Sequence, residues 1–350
     1  MSIYLKNLAH YHPDHIVDNH FLKGICDADP AWVLSKTGII ERRSMTDYQG
    51  DLPGYELLRR LIAKWKSEAL VNDWPKIDLI ISAASHDDLH YPNPGNLIAK
   101  DEGLVAPVFQ LKSACTSVAY AVFLARSVLS TTFYNDVLVL NAEAFTRYVD
   151  YGDRRSCILF GDAASMLFVS KESGAFQLID VDIGGQGLDI VQELRTSDTS
   201  HLTINEMATG ELQPGKPRVN RRKRSEPKFQ QDGRAVVEFV LTQMPSKIEL
   251  ILRKNNLTLA QVDHVVLHQS NLVMMAELID RVGLPQQKHL YNVDRFGNTS
   301  SSGWVTVLSQ NQSKIKPNAI VLVSVFGAGM TWSNILLKRT SESLGGPINQ

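Results

Sequence analysis

Cysteine is scarce, since the 350-residue chain holds only Cys26, Cys115 and Cys157. Three thiols are too few for a disulfide scaffold and suit a reducing compartment. A surplus of charge is missing too, with 36 Lys and Arg against 37 Asp and Glu for a net charge of −1. That balance argues against a nucleic-acid partner bound through overall charge. Long hydrophobic runs are also lacking. The strongest, such as residues 319–326, have the length of a strand and fall far short of the ~20 residues that cross a bilayer, so no membrane partner is expected. The first residues carry His10, His12 and His15 but no apolar core of an export signal. With 44% hydrophobic and 21% charged residues, the composition is that of a globular cytoplasmic enzyme, one large α/β domain or two fused halves.

Short apolar runs alternate with helical patterns, the mark of α/β architecture. Ile77-Asp78-Leu79-Ile80-Ile81-Ser82 and Val262-Asp263-His264-Val265-Val266-Leu267 each read as a buried strand begun at an Asp. A second strand starts 58 residues after Asp78, at Asp136, and 55 residues after Asp263, at Asn318. Between the two strands each stretch holds a turn and a helix, over 116–129 and 302–312. Matched order at matched spacing predicts duplication of one unit. Helical periods over 55–69 and 235–254 precede the two halves. Between the halves lies a break at 197–231. Within it Lys216, Arg218, Arg221, Arg222, Lys223, Arg224 and Lys228 face only Glu226, a pattern that reads as a solvated loop.

Three residues stand out as candidates for chemistry. Cys115, in Ser113-Ala114-Cys115-Thr116-Ser117, follows a strand and opens an apolar helix that Thr116 or Ser117 can cap. A thiol at a helix N-terminus is favoured as the nucleophilic thiolate, although a lone cysteine is more commonly a small buried residue. Cys26 and Cys157 lack this setting. His268 ends the strand of the second half, where a histidine also serves as an ordinary core or loop residue. Asn298 precedes a helix, a common place for a turn or cap residue. The repeat links them. Cys115 lies 37 residues after Asp78 and Asn298 lies 35 after Asp263, so duplication brings both to related turns, with His268 facing the same point. The order Cys, His, Asn is shared with papain-like proteases, but their sequence context around the cysteine is absent.

Motifs extend through the chain in one order. Trp32-Val33-Leu34-Ser35-Lys36-Thr37-Gly38-Ile39-Ile40-Glu41-Arg42 looks like a Trp-Ile-x-x-Arg-Thr-Gly-Ile-x-x-Arg segment. Ser113-Ala114-Cys115 and Phe160-Gly161-Asp162-Ala163-Ala164 follow. His268-Gln269-Ser270-Asn271, Gly297-Asn298-Thr299-Ser300 and Phe326-Gly327-Ala328-Gly329-Met330-Thr331-Trp332 complete the set. With these motifs the chain resembles the β-ketoacyl-acyl-carrier-protein synthase III family of the thiolase superfamily, nearly end to end. The resemblance implies an α/β thiolase fold of two βαβαβ half-domains in five α/β/α/β/α layers, assembled as a homodimer. The N-terminal half would span 1–195, a basic connecting insert 196–231 and the C-terminal half 232–340. It also implies that Cys115 takes an acyl group from a thioester of coenzyme A or an acyl carrier protein. The backbone N–H groups of Cys115 and Ala328 would form the oxyanion hole. His268 and Asn298 would hold the carbonyl of a malonyl-type thioester while it loses CO₂ and condenses with the acyl-cysteine. No metal and no cofactor beyond the thioester substrates is implied.

Some positions depart from the family pattern. Lys36 replaces an Arg and lacks its planar guanidinium. Trp32 and Arg154 fall where family members meet the coenzyme A nucleotide, and Asn271 where they meet the pantetheine arm. Val273 stands where a carrier-docking Arg is common, and Asp87-Asp88-Leu89-His90 where small apolar residues flank the acyl channel. The basic insert is long, and its charge would steer an acidic carrier to the tunnel mouth. These departures point to fatty-acid-derived or polyketide specialised metabolism. Two other readings fit the same residues: acyl transfer to a non-malonyl O, N or C nucleophile, and a non-catalytic subunit of a heteromeric synthase.

Overall fold

Asp78 and Asp263 do the same work in two places. The Asp78 carboxylate accepts the backbone N–H groups of Asn135 and Asp136 at 2.7 and 3.2 Å, and that of Asp263 accepts the N–H of Ile320 at 2.8 Å. Each carboxylate thereby ties the start of one strand to the start of its parallel neighbour. The computed structural model describes residues 1–70, 73–86, 91–195 and 227–341. Its strands are β1 (Tyr4–Tyr11), β2 (Ile16–Asp18), β3 (Glu41–Arg43), β4 (Leu79–Ala83), β5 (Val108–Leu111), β6 (Asp136–Glu143) and β7 (Ala163–Ser170). They continue with β8 (Phe176–Gly185), β9 (Val191–Arg195), β10 (Pro227–Gln231), β11 (His264–Leu267), β12 (Ile320–Gly327) and β13 (Thr331–Arg339).

Among the described residues nine strands join in the order β11-β12-β13-β8-β1-β7-β6-β4-β5. The duplicated pairs, β4 with β6 and β11 with β12, are parallel. Strands β1 and β8 pair only at Tyr4–Gln177 and Leu5–Phe176, whereas β8 follows β13 from Phe176–Arg339 to Gly185–Thr331. The sheet is therefore two halves joined at a narrow seam. By hydrogen bonding, β8 belongs with the strands of the second half.

Alternation along the strands builds the layers. Leu138 and Leu140 of β6 pack outward with Leu57, Leu61 and Ile98 of the helices Pro53–Ala69 and Pro94–Asp101. Val137 and Val139 pack inward with Val118, Ala121 and Ala125 of the helix Ser117–Thr131. Val321, Val323 and Val325 of β12 join that central cluster with Trp304 and Val305 of the helix Gly303–Asn311. Leu322 faces the other way, among Val240, Met244 and Leu278 of the helices Gly233–Lys254 and Leu272–Val282. Helices, half-sheet, central helices, half-sheet and helices make the five layers of a thiolase fold. Among the described residues one helix, Ala114–Thr131, is long and apolar enough by composition to cross a membrane; here it packs in the central layer beside Gly303–Asn311.

Two expectations change. Both central helices are led by a 3₁₀ turn, Ala114–Thr116 and Ser300–Ser302, whose first residues share a left-handed φ of +46° and +50°. The counterpart of Cys115 is thus Ser301, and Asn298 lies just ahead of the turn. The spacing from strand to motif hides this correspondence, because the turn itself begins one residue before Cys115 but two residues after Asn298. Within the break expected as loop, Pro227–Gln231 is a strand paired antiparallel with β9, and Phe229 buries its ring there. The basic residues Lys216, Arg218, Arg221, Arg222, Lys223 and Arg224 lie outside the described residues, as do Asp87, Asp88, Leu89 and His90.

Candidate active site

Hydroxyls lock the turn that carries Cys115. Ser113 N–H donates to Ser117 Oγ at 2.8 Å, Thr116 Oγ1 donates to Ser113 O at 2.7 Å, and Ser117 Oγ donates to Ala114 O at 2.7 Å. Thr116 and Ser117 therefore brace the turn and do not cap the helix. The end of β12 presses on it from the other half: a Cβ at Gly327 would meet Cys115 N at 3.0 Å and Thr116 N at 3.2 Å. A side chain at this position would crowd the cysteine turn, and glycine leaves the close approach unhindered.

His268 follows β11, its N–H bonded to Ser324 O at 2.8 Å and its ring edge-on to Phe326 with centroids 4.8 Å apart. Burial pushes its pKa down to about 3, so the imidazole is neutral near pH 7 and offers one N–H. Asn298 is pinned by the Phe-Gly-Asp motif. Its N–H donates to Leu159 O at 2.8 Å and its carbonyl accepts Gly161 N–H at 3.1 Å. Its side-chain oxygen accepts Ser300 N–H at 2.9 Å, which leaves the amide NH₂ as the free donor end. The motif's Asp162 is structural: it accepts Met45 N–H, Thr146 N–H and the Thr146 hydroxyl, with a pKa pushed up to about 6 by burial.

Cys115, His268, Asn298 and Ala328 line one cavity of about 1340 Å³. Phe145 and Phe160, stacked with centroids 4.0 Å apart, and Phe229, edge-on to both, form an aromatic wall. Trp32, Lys36 and Asn271 also line it. The Arg154 guanidinium lies over the Trp32 ring, 5.7 Å from its centre, within reach of a cation–π attraction. Asn271 is committed at both ends, capping the helix Leu272–Val282 through Met274 N–H at 3.1 Å and donating to Lys36 O at 3.0 Å. The motif around Trp32 earns its place through Arg42, which is fully buried and donates to Val17 O, Asn19 Oδ1 and Ile158 O.

The thiol differs from the helix-terminus expectation. Burial pushes Cys115 up to about 12; the Ser300 hydroxyl pulls it down and the Glu143 carboxylate raises it again. Cys115 sits in the 3₁₀ turn ahead of the helix, where lost hydration outweighs the dipole. Sequence reasoning also missed Glu143, Ser85, Ser300 and Phe229. Glu143 ends a strand buried at every position, so no alternation marked it out. Among the described residues no group of three or more His, Cys, Asp or Glu side chains is placed to hold a metal ion.

Burial of imidazoles also sets how stability responds to pH. His10 is pushed down to about 3 and His289 to about 4, chiefly by burial, alongside His268. The unfolded chain takes up these protons from about pH 6.5 downward and the folded chain only near pH 3–4. Stability therefore falls as pH drops below about 6.5, by at most about 1.4 kcal/mol per pH unit for each group. The thermal midpoint is expected to drop between about pH 7 and pH 5, and His289→Gln to make that drop shallower. A midpoint constant across this interval would mean that the three rings are already hydrated in the folded chain.

The chain matches the family models for 3-oxoacyl-[acyl-carrier-protein] synthase III over residues 109–187 and for its C-terminal part over 252–339. It is 30% identical over 338 residues to the β-ketoacyl-[acyl-carrier-protein] synthase III of Thermosynechococcus vestitus, covering 93% of this chain and 95% of that one. It is 27% identical over 341 residues to the enzyme of the same name from Oceanobacillus iheyensis, covering 97% and 99%. The crystal structure of the 3-oxoacyl-(acyl carrier protein) synthase III of Pseudomonas aeruginosa superposes with a TM-score of 0.80 at 24% identity, over 98% of this chain and 100% of that one. A priming β-ketosynthase of a polyketide pathway superposes at 0.77 with 22% identity, over 97% of each chain.

Proposed function

The chain belongs to the β-ketoacyl-[acyl-carrier-protein] synthase III family of the thiolase superfamily, an acyltransferase family of the condensing type, and from that premise we propose that Cys115 is its acyl-accepting nucleophile. Cys115 Sγ attacks the carbonyl of an acyl thioester of coenzyme A or a carrier protein, and the backbone N–H groups of Cys115 and Ala328 stabilise the charge that develops on oxygen. Fixed donors of this kind contribute roughly 10²–10³ in rate each. A malonyl-type thioester then enters. The neutral His268 N–H and the Asn298 amide NH₂ hold its carbonyl oxygen, so loss of CO₂ leaves an enolate stabilised by two donors. The enolate carbon attacks the acyl-cysteine carbonyl, the C–S bond to Cys115 breaks, and a β-ketoacyl thioester leaves. Residues 1–195 supply the nucleophile and 232–340 the two donors.

One observation carries the reading: Cys115, His268 and Asn298, from turns far apart in the chain, line one cavity. The Trp32–Arg154 pair and Lys36 suit the nucleotide end of coenzyme A. A homodimer fits β5, which among the described residues ends the sheet with an open edge, with Phe109 partly exposed on it and Val105 almost wholly exposed nearby. Val273 and the long basic insert favour a specialised fatty-acid-derived or polyketide substrate over general fatty-acid initiation. Intact-mass spectrometry with a panel of acyl-CoA thioesters tests the reading. One acyl group should add to the chain and leave as a β-ketoacyl thioester when malonyl-CoA or malonyl-carrier protein follows. No uptake from any thioester would sink it.

A further inference from the structure

Glu143 is a carboxyl group sealed in the interior at the end of β6, 1% exposed. Among the described residues no Lys or Arg pairs with it. Neutral donors hold it instead: Ser301 Oγ at 2.5 Å, Asn141 Nδ2 at 3.0 Å, and Ser85 through its N–H and its hydroxyl, both at 3.2 Å. Ser85 Oγ is 2.6 Å from Ser300 Oγ, and Ser300 Oγ is 3.4 Å from Cys115 Sγ. A continuous line of hydroxyls therefore runs from the buried carboxylate to the sulfur. It can be oriented either way: sulfur to Ser300 to Ser85 to Glu143, or the reverse. Bracing the turn does not require a carboxylate, because an amide would accept the same bonds from Ser301 and Asn141 without the cost of a buried charge.

We propose that Glu143 holds the proton of the Cys115 thiol during acyl transfer, receiving it and returning it through Ser85 and Ser300. The inference rests on the reading of Cys115 as the nucleophile. In the forward step the S–H bond of Cys115 breaks as its proton passes to Ser300, that of Ser300 to Ser85, and that of Ser85 to the carboxylate. The sulfur gains its bond to the acyl carbon, and the donor's C–S bond breaks with its electron pair on the departing thiolate. The proton then travels back along the same hydroxyls, and Ser300 delivers it to that thiolate. The products are acyl-Cys115, a free donor thiol and a Glu143 carboxylate; nothing is consumed besides the substrate. Ser300 touches the reacting sulfur, whereas Ser85 and Glu143 are positioning residues that act through it.

The surroundings suit the exchange. Burial holds the Glu143 carboxyl above the usual carboxylate range, so it takes a proton more readily than an exposed glutamate. The titratable groups facing Glu143 are His86, on the segment after β4, and Cys115 itself. His268, across the cavity, stays neutral. A thiol and a carboxylate that share one proton hold a fixed fraction of thiolate over the whole interval between their two macroscopic pKa values.

The experiment is alkylation of Cys115 by iodoacetamide as a function of pH, located by peptide mass mapping, in the wild-type chain and in Glu143→Gln, Ser300→Ala and Ser85→Ala. The wild-type rate is expected to be nearly flat from about pH 6 to pH 9. In all three variants it should fall at least about tenfold at neutral pH and rise about tenfold per pH unit. Glu143→Gln carries the decisive sign. If the carboxylate were only a nearby negative charge, removing it would make the thiol more acidic and alkylation faster, which would overturn the proposal. So would a wild-type rate that climbs steadily with pH, or variants that keep the flat profile. Ser300→Ala and Ser85→Ala leave the charge in place, so they decide the matter even if Glu143→Gln folds poorly. Alkylation needs no acyl donor. A flat wild-type profile in a chain that takes up no acyl group would sink the nucleophile reading while leaving the proton path intact.

Discussion

Cys115→Ala is expected to abolish acyl uptake, with no mass gain on incubation with any acyl-CoA, while some decarboxylation of the malonyl thioester persists. The covalent half-reaction needs the sulfur; the decarboxylating half needs only donors at the thioester carbonyl, and His268 and Asn298 remain. The reverse variants should split the reaction the other way. His268→Ala and Asn298→Ala should still load one acyl group on Cys115 but lower condensation by roughly 10²–10³-fold, the scale of losing one fixed donor to a developing oxyanion. Neutrality of His268 matters here. With its pKa near about 3, it works as a hydrogen-bond donor, and condensation should not decline through its protonation above about pH 5. Acyl groups on Cys157, or uptake surviving in Cys115→Ala, would transfer the nucleophile's role elsewhere.

Gly161→Ala is expected to be nearly as damaging without touching a reacting group. A Cβ at Gly161 would lie 2.2 Å from the carbonyl oxygen of Phe296 and 3.2 Å from Arg42 Cβ. The first is backbone and cannot swing aside. Phe296 ends the short helix Val293–Phe296, and the segment that must yield leads straight into Asn298, whose carbonyl Gly161 N–H itself holds at 3.1 Å. Overpacking of this kind costs about 1–3 kcal/mol of stability, and a displacement near 1 Å at a catalytic group costs roughly 10²-fold in rate. Condensation should therefore drop about a hundredfold while acylation of Cys115 stays within a few-fold. Equal losses in both half-reactions would show that the clash spreads to the cysteine turn.

Much of this architecture was legible in the chain. Asp78 and Asp263 marked the paired strands because a carboxylate before a parallel strand has a defined job there, and the burial of β6 and β12 was written in the apolar stretches Val137–Leu140 and Ile320–Val323. The motifs around Cys115, His268 and Asn298 were visible as words in order. The site's second half was not. Glu143, Ser85 and Ser300 matter through distances that arise only when β4, β6 and the turn after Asn298 meet, and no local period encodes that meeting. The same holds for β8: only the packed sheet shows that it lies mainly against β13. Thiol acidity was misjudged for a related reason, since a helix terminus is a local feature and desolvation is not.

The pairs Ser85–Ser300 and Thr116–Thr331 each join residues 215 positions apart. A ribosome adds roughly 5–20 residues per second, so about ten seconds or more separate the emergence of the two members of each pair. Throughout that interval the nascent chain displays Cys115 without the Gly327–Ala328 backbone that presses on its turn and without the residues that would consume an acyl group. A half-made copy thus carries a sulfhydryl but no machinery for loading it. On the proposed role of Cys115, acyl loading would have to await the docking of β12 against the cysteine turn.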